Sequence, residues 1–305
     1  MMQPAWMKFF TPFLLLIVIT SGLRASERNW PLLITPSWLT EHQKDPNVVI
    51  LNVTQNLRDY RRGHISGARF LWPTWVAANN PELSFELLPV DRLDTLMEGL
   101  GITNDSRIVL CGVNGNVSPT ARVYATLEYL GMGDRTSILD GGFEAWKKEG
   151  FPVSTETPVV ARTLFTPHLR STAFVDAEYV SSNKDRSGFR LVDARAPQYY
   201  NGDGGGFPRP GRIPGAVNLF FATLFDTANR YLPMDSLQAK FEAAGIKPAD
   251  EVIVYCHVGQ TASSDYLAAK LLGHKVHLYD GSFEDWSGRL DLPVFVEPKK
   301  DSTKK

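Results

Sequence analysis

Glu251-Val-Ile-Val-Tyr-Cys-His-Val-Gly-Gln-Thr-Ala-Ser263 reads as one apolar strand, a short turn and the start of a helix. The run Val252 to Tyr255 suits a strand buried on both faces, and Ala262 to Leu272 carries a helical pattern. The one thiol of the passage, Cys256, stands at the junction. Backbone N–H groups of such a loop lack strand or helix partners and attract anions. The dipole of the following helix adds positive potential at the same spot. A thiol held there is expected to be largely thiolate, the nucleophilic form.

Working outward, much of this passage recurs. Arg107-Ile-Val-Leu-Cys111 precedes a loop and Ala121-Arg-Val-Tyr-Ala-Thr-Leu-Glu-Tyr-Leu-Gly131, to be compared with Ser263 to Gly273. Ser137-Ile-Leu-Asp-Gly-Gly-Phe-Glu-Ala-Trp146 answers His277-Leu-Tyr-Asp-Gly-Ser-Phe-Glu-Asp-Trp286. Upstream, Ile50-Leu-Asn-Val and Gly63-His-Ile-Ser-Gly-Ala68 answer Leu191-Val-Asp-Ala-Arg and Gly211-Arg-Ile-Pro-Gly-Ala216. Four blocks in one order, twice, make the chain an internal duplication. On this reading Cys111 and Cys256 occupy the same place in the repeat. The first loop is then three residues longer, counted to Gly131 and Gly273, which would disperse its N–H groups and leave the first copy inert.

With 305 residues and 43% hydrophobic content, the chain is long enough for two domains with separate cores. A net charge of −1 gives no electrostatic reason to expect nucleic acid or an anionic membrane surface as partner. The start differs in kind. Lys8, the apolar run Phe9 to Ile19 and the small residue Ala25 read as a secretory signal peptide over residues 1–25. The apolar run is short for a bilayer span, which needs ~20 such residues. The mature protein is therefore expected outside the cytoplasm, in a periplasm if the source is Gram-negative, with no stable membrane association. Two cysteines in an oxidising compartment raise a disulfide, but a two-domain chain of this size does not need one staple.

Each half alternates strands and helices. In the second half Arg190 to Val192, Gly215 to Leu219, Val252 to Tyr255 and Val276 to Tyr279 read as strands, and Pro233 to Ala244 as a helix. That alternation predicts an α/β fold, two tandem domains each with a mostly parallel sheet flanked by helices. The domains are placed at 30–155 and 170–297. Reactive groups then belong at the carboxyl ends of the strands, where Cys256 is.

These motifs resemble the rhodanese family in its tandem two-domain form, the thiosulfate and 3-mercaptopyruvate sulfurtransferases. The resemblance covers roughly Trp30 to Val296. It implies that Cys256 accepts a sulfane sulfur, holds it as a persulfide and passes it to a thiophilic acceptor such as cyanide or a thiol. It implies small-molecule donor and acceptor partners, no metal and no organic cofactor. A second reading is a catalytically weak module that relays sulfur for a partner protein.

The loop His257, Val258, Gly259, Gln260, Thr261 is the candidate substrate cradle. Gly259 permits tight curvature, Thr261 offers a hydroxyl, and His257 a ring donor charged in mild acid. Thiosulfate-selective members of the family place a cation just after the cysteine, and mercaptopyruvate-selective ones carry a Gly-Ser-Gly-type loop. This loop matches neither, and leans to thiosulfate through His257. Arg195 is a candidate anion-binding residue, with a structural ion pair to Asp193 as the competing reading. A cysteine phosphatase would need an arginine closing a longer loop; Gln260-Thr261-Ala262 supplies none. Asp140 and Asp280 read as turn residues, Trp146 and Trp286 as core aromatics, and Gly202 to Phe207 as a surface loop rimming the cleft.

Overall fold

A computed structural model describes residues 30–115, 117–204 and 206–298. The leader assigned to residues 1–25 lies outside the described residues. No helix among those described is long and apolar enough to cross a membrane.

The first half runs β1 (Leu33–Ile34), α1 (Pro36–His42), β2 (Val48–Val53), α2 (Leu57–Arg62), β3 (Arg69–Leu71), β4 (Ala77–Ala78), β5 (Glu86–Leu87), α3 (Val90–Gly99), β6 (Arg107–Gly112), α4 (Val117–Tyr129), β7 (Thr136–Leu139) and α5 (Gly142–Lys148). The second runs β8 (Phe174–Val175), α6 (Ala177–Asn183), β9 (Phe189–Asp193), α7 (Pro197–Asn201), β10 (Val217–Asn218), α8 (Met234–Ala243), β11 (Glu251–Tyr255), α9 (Ala262–Leu271), β12 (Val276–Tyr279) and α10 (Ser282–Gly288). Each half builds one five-stranded parallel sheet, in the order β1-β7-β6-β2-β3 and β8-β12-β11-β9-β10. Central strands buried on both faces, with helices over them, are what near-continuous apolar runs require. The α/β expectation stands.

Local chemistry sets the element ends. Thr35 and Asp176 accept the backbone N–H groups of Trp38 and Tyr179 and so cap α1 and α6. Pro197 opens α7, where its missing N–H costs nothing. The strand expected over Gly215 to Leu219 contracts to β10, because Gly215 turns at φ +85° and the Ala216 N–H donates back to Ile213. β8 spans two residues, too few to leave a period in the sequence. Residues 155–170 form no helix or strand and lie along the first half, where Thr163, His168 and Arg170 bond Glu98, Leu130 and Tyr129.

The sheet registers revise the alignment of the two copies. Asn52 of β2 pairs with Cys111, whereas its counterpart Asp193 of β9 pairs with Tyr255. Cys111 therefore matches Tyr255, and Gly112 stands where Cys256 does. Packing agrees. Cys111 lies among Ile50, Val109 and Phe143, as Tyr255 lies among Leu191, Ile253 and Phe283, while Cys256 packs on the other face with Val252 and Val254. A one-residue offset turns a strand side chain to the opposite face. The expectation that both thiols share one place is corrected: the first copy has no side chain where the second carries Cys256. Its loop is not looser either. Gly115 and Gly259 correspond and share φ near +70° (67° and 73°). The extra residues before Gly131 are taken up by α4, which spans 13 residues against 10 in α9.

Candidate active site

Cys256 is the first residue beyond β11, 1% exposed, with α9 starting six positions later. Its own N–H donates to Ser282 Oγ (3.2 Å), and that hydroxyl donates to the Tyr279 carbonyl (2.8 Å). The Cys256 and His257 carbonyls accept the N–H groups of Phe283 and Glu284 (3.1 and 3.0 Å). The first turn of α10 thus clamps both sides of the cysteine. Ser282 sits at φ +51°, the region its counterpart Gly142 occupies at +58°. A serine there tolerates a left-handed backbone and supplies the acceptor that a glycine cannot.

Among the described residues, no acceptor takes the backbone N–H of His257, Val258, Gly259 or Gln260. The Gly259 carbonyl accepts Ser263 Oγ–H (2.9 Å), which ties the loop to α9. A Cβ on Gly259 would come within 2.8 Å of the Asp280 carbonyl and 2.9 Å of Arg122 Nη1, so only glycine fits. Val258, Gln260 and Thr261 are half-buried, and α9 receives no side-chain cap from Thr261.

Two sequence expectations change. His257 is wedged edge-on to Tyr199 (4.8 Å) and against Phe207 (5.3 Å). Burial, with Arg195 adding, holds its pKa down to about 4, so it is neutral in mild acid and is no substitute cation. Arg195 is 2% exposed, and Asp193 holds it through Nε (2.9 Å) and Nη2 (2.6 Å); Nη2 also donates to the Gly211 carbonyl. Its guanidinium lies 4.0 Å over the Phe283 ring. It buttresses the site rather than standing free to clamp an anion. Trp146 and Trp286 are buried, as expected.

The sequence reading missed the first half's share in this site. Arg122 of α4, its side chain 0% exposed, forms an ion pair with Asp280 Oδ1 (2.6 Å) and donates to the Phe85 carbonyl (3.1 Å). The β4–β5 hairpin reaches over. Leu87 N–H donates to Asp280 Oδ2 (2.8 Å), and Ser84 donates through N–H and Oγ to Glu284 (2.6 and 3.0 Å). Asp280 is therefore an interdomain anchor, beyond the turn residue expected. The contact is reciprocal. Tyr231 N–H donates to Asp140 Oδ1 (3.3 Å), and Asn229 lies against Gly115, as Arg122, bonded to Phe85, lies beside Gly259. In the first copy this leaves a cavity of about 20 Å³ lined by Gly112, Thr120, Gly142, Glu144 and Asn229. Cys111 is free and buried, and desolvation, with Glu144 adding, pushes its thiol up, away from ionisation.

The family model described as "Rhodanese-like domain" matches residues 35–149 and again 176–289. The chain belongs to the rhodanese family. Among similar proteins, "Sulfur carrier protein TtuD" of Thermus thermophilus is 30% identical to this rhodanese over 278 residues, 86% of this chain and 96% of that protein. "Thiosulfate sulfurtransferase" of Azotobacter vinelandii is 29% identical over 265 residues, 87% and 97% of the two chains. Of solved structures, YnjE superposes with a TM-score of 0.78 at 24% identity, over 87% of this chain and 68% of that one. A variant of EanB in complex with ergothioneine gives 0.80 at 21%, over 88% and 71%. These two share the fold. The relatives' names place this tandem rhodanese among proteins that transfer or carry sulfur.

Proposed function

We propose that this rhodanese is a sulfurtransferase whose Cys256 takes a sulfane sulfur from a donor, thiosulfate or 3-mercaptopyruvate being the family's two, and holds it as a persulfide. The persulfide then passes its outer sulfur to cyanide or a thiol. The observation that carries the reading is the placement of Cys256: a thiol at the end of a central strand, directly before a loop at the head of α9 whose N–H groups have no acceptor among the described residues. Such a loop stabilises the thiolate and then the persulfide anion. Arg195, fixed by Asp193, adds positive field from behind, and Val258, Gly259, Gln260 and Thr261 form the wall that the donor meets. Cyanide reclaims the sulfur as thiocyanate, which regenerates the thiol.

Incubation with donor should add one sulfur, read by intact mass, in the native protein and in Cys111→Ser, and none in Cys256→Ser. An adduct that survives in Cys256→Ser but not in Cys111→Ser would sink the assignment. A second reading, a relay for a partner protein with little turnover of its own, is favoured by the 1% exposure of Cys256 and by the carrier named among the relatives. Steady-state thiocyanate production separates the two. The leader-like start also motivates placing the reaction outside the cytoplasm; the mature chain, sequenced from its N-terminus, should begin just after Ala25.

A further inference from the structure

We propose that the first copy, emptied where the second is filled, is a binding site for a small neutral saccharide. The site lies beside the loop that follows β6, and Cys256 plays no part in it.

Two positions that carry bulk in the second copy are reduced in the first. Thr54, two residues past Asn52, stands where Arg195 does, two past Asp193. Pro73 opens the short 3₁₀ turn after β3, as Phe221 opens the one after β10. Both smaller residues line a cavity of about 250 Å³. Thr54, Gln55, Asn56 and Asn114 give it one hydroxyl and three amides. Val53, Val113 and Pro119 join Pro73 as its apolar walls. Apolar walls with a few placed polar groups are the usual make-up of a small-molecule site.

No charged residue lines this cavity, so an ion entering it would lose water and gain no counter-charge. Asp59, the carboxylate behind Asn114, takes one of its amide protons (3.0 Å) and is itself paired with Arg62. The hydrogen-bonding capacity that remains is of both kinds. Thr54, 4% exposed, accepts the Asn56 N–H (3.2 Å) and keeps its hydroxyl proton. Asn56 accepts the Arg58 N–H (2.9 Å) and keeps both amide protons. Asn114 keeps its carbonyl oxygen, and the Gln55 amide has no partner among the described residues. Donors and acceptors side by side fit hydroxyl groups, each of which gives one hydrogen bond and takes two. A phosphate or carboxylate, which only accepts, would leave the acceptors unmet.

The neighbouring surface points the same way. Trp72 and Trp75 flank Pro73 and are 38% and 41% exposed, with Phe70 edge-on to both (6.2 and 5.4 Å). Exposed indoles grouped beside a neutral polar cavity offer a large apolar area with a polar edge. A pyranose ring has the matching make-up, a C–H face bounded by hydroxyls. The second copy offers no such place, since Arg195 is folded back onto Asp193 and Phe221 replaces Pro73.

The test is calorimetric titration of the full-length protein with glucose and N-acetylglucosamine, set against glucuronate and glucosamine as charged counterparts, with tryptophan emission read in parallel. A neutral sugar should bind saturably and shift the emission, and the charged ones should bind about tenfold more weakly. Thr54→Arg, which places the second copy's side chain in the cavity, should abolish binding and leave sulfur loading on Cys256 intact. That arginine would face Asn52 in place of an aspartate, so two exposed positions provide the check that spares the fold. Gln55→Ala and Trp75→Ala should each weaken binding about threefold, the loss of one hydrogen bond or one ring contact. Charged sugars that bind as tightly as neutral ones, binding that all three substitutions leave unchanged, or no binding of any sugar would each overturn the inference. None of these outcomes touches Cys256 as sulfur carrier.

Discussion

Ser282 is the residue that most directly shapes the thiol's surroundings, since the buried Cys256 N–H has its hydroxyl as acceptor (3.2 Å). Removing that acceptor strands a buried donor, at about 1–3 kcal/mol. Ser282→Ala should lower stability by that order in urea titration. It should also slow sulfur loading about tenfold, the factor that 1.36 kcal/mol represents in a barrier. Ser282→Gly relieves the φ +51° backbone yet still lacks the hydroxyl, so loading should stay slow while part of the stability returns. Loading that recovers fully in the glycine variant would assign Ser282 to backbone geometry alone. The thiol itself was legible from the strand, loop and helix around it. Ser282 was not: one serine in an Asp-Gly-Ser turn carries no mark of the 26-residue span it closes.

At the scale of elements, the β4–β5 hairpin covers the second cradle and brings Glu86 into a carboxylate corner. Folding raises Glu86 from 4.5 to about 8, through burial first and Asp280 second. Between those values the folded chain keeps a proton that the unfolded chain releases, so Glu86's contribution is complete below 4.5 and is lost as pH rises through 8. Glu86→Gln should match native thermal stability near pH 4, exceed it increasingly across that window and hold a constant lead above it. A lead that does not vary with pH would mean that Glu86 is not held protonated.

The element scale also shows where sequence reading stopped. β11, α9 and β12 came through because apolar runs and helical spacing survive in one chain. β8, two residues long, leaves no period. Cys111 misled because an identical side chain outweighed the count along the strand. Counting from Arg107 and Glu251, each the first residue of its strand, aligns Gly112 with Cys256, and Val-Asn-Gly115 with His-Val-Gly259.

Across the whole molecule, the two halves share one apolar core between α4 and α9, where Ser118 and Ser264 hydroxyls meet at 2.8 Å. The Arg122–Asp280 pair spans the same boundary, buried on the arginine side and 13% exposed on the other. Breaking one partner of a buried pair costs about 3–5 kcal/mol, because the other charge stays behind unmatched. Arg122→Leu should therefore lose about that much, and adding Asp280→Asn should return a good part of it. Strictly additive losses in the double variant would show that the two side chains are not energetically coupled.

Like meets like across this boundary. Phe85 and Asn229 hold the same place in their hairpins, both at positive φ (63° and 58°); Asn229 lies against Gly115 of the other half, and Phe85 accepts from Arg122, which lies beside Gly259 across the boundary. Two separate copies of either half would meet by the same self-complementary handshake, the isologous contact of a twofold dimer. A dimer of identical chains must change both members at once. Joining the copies removes that obligation: one can lose its thiol to Gly112 and serve as a fitted cover, while the other keeps Cys256 and gains a hairpin whose acidity can be tuned without altering the nucleophile's own sequence.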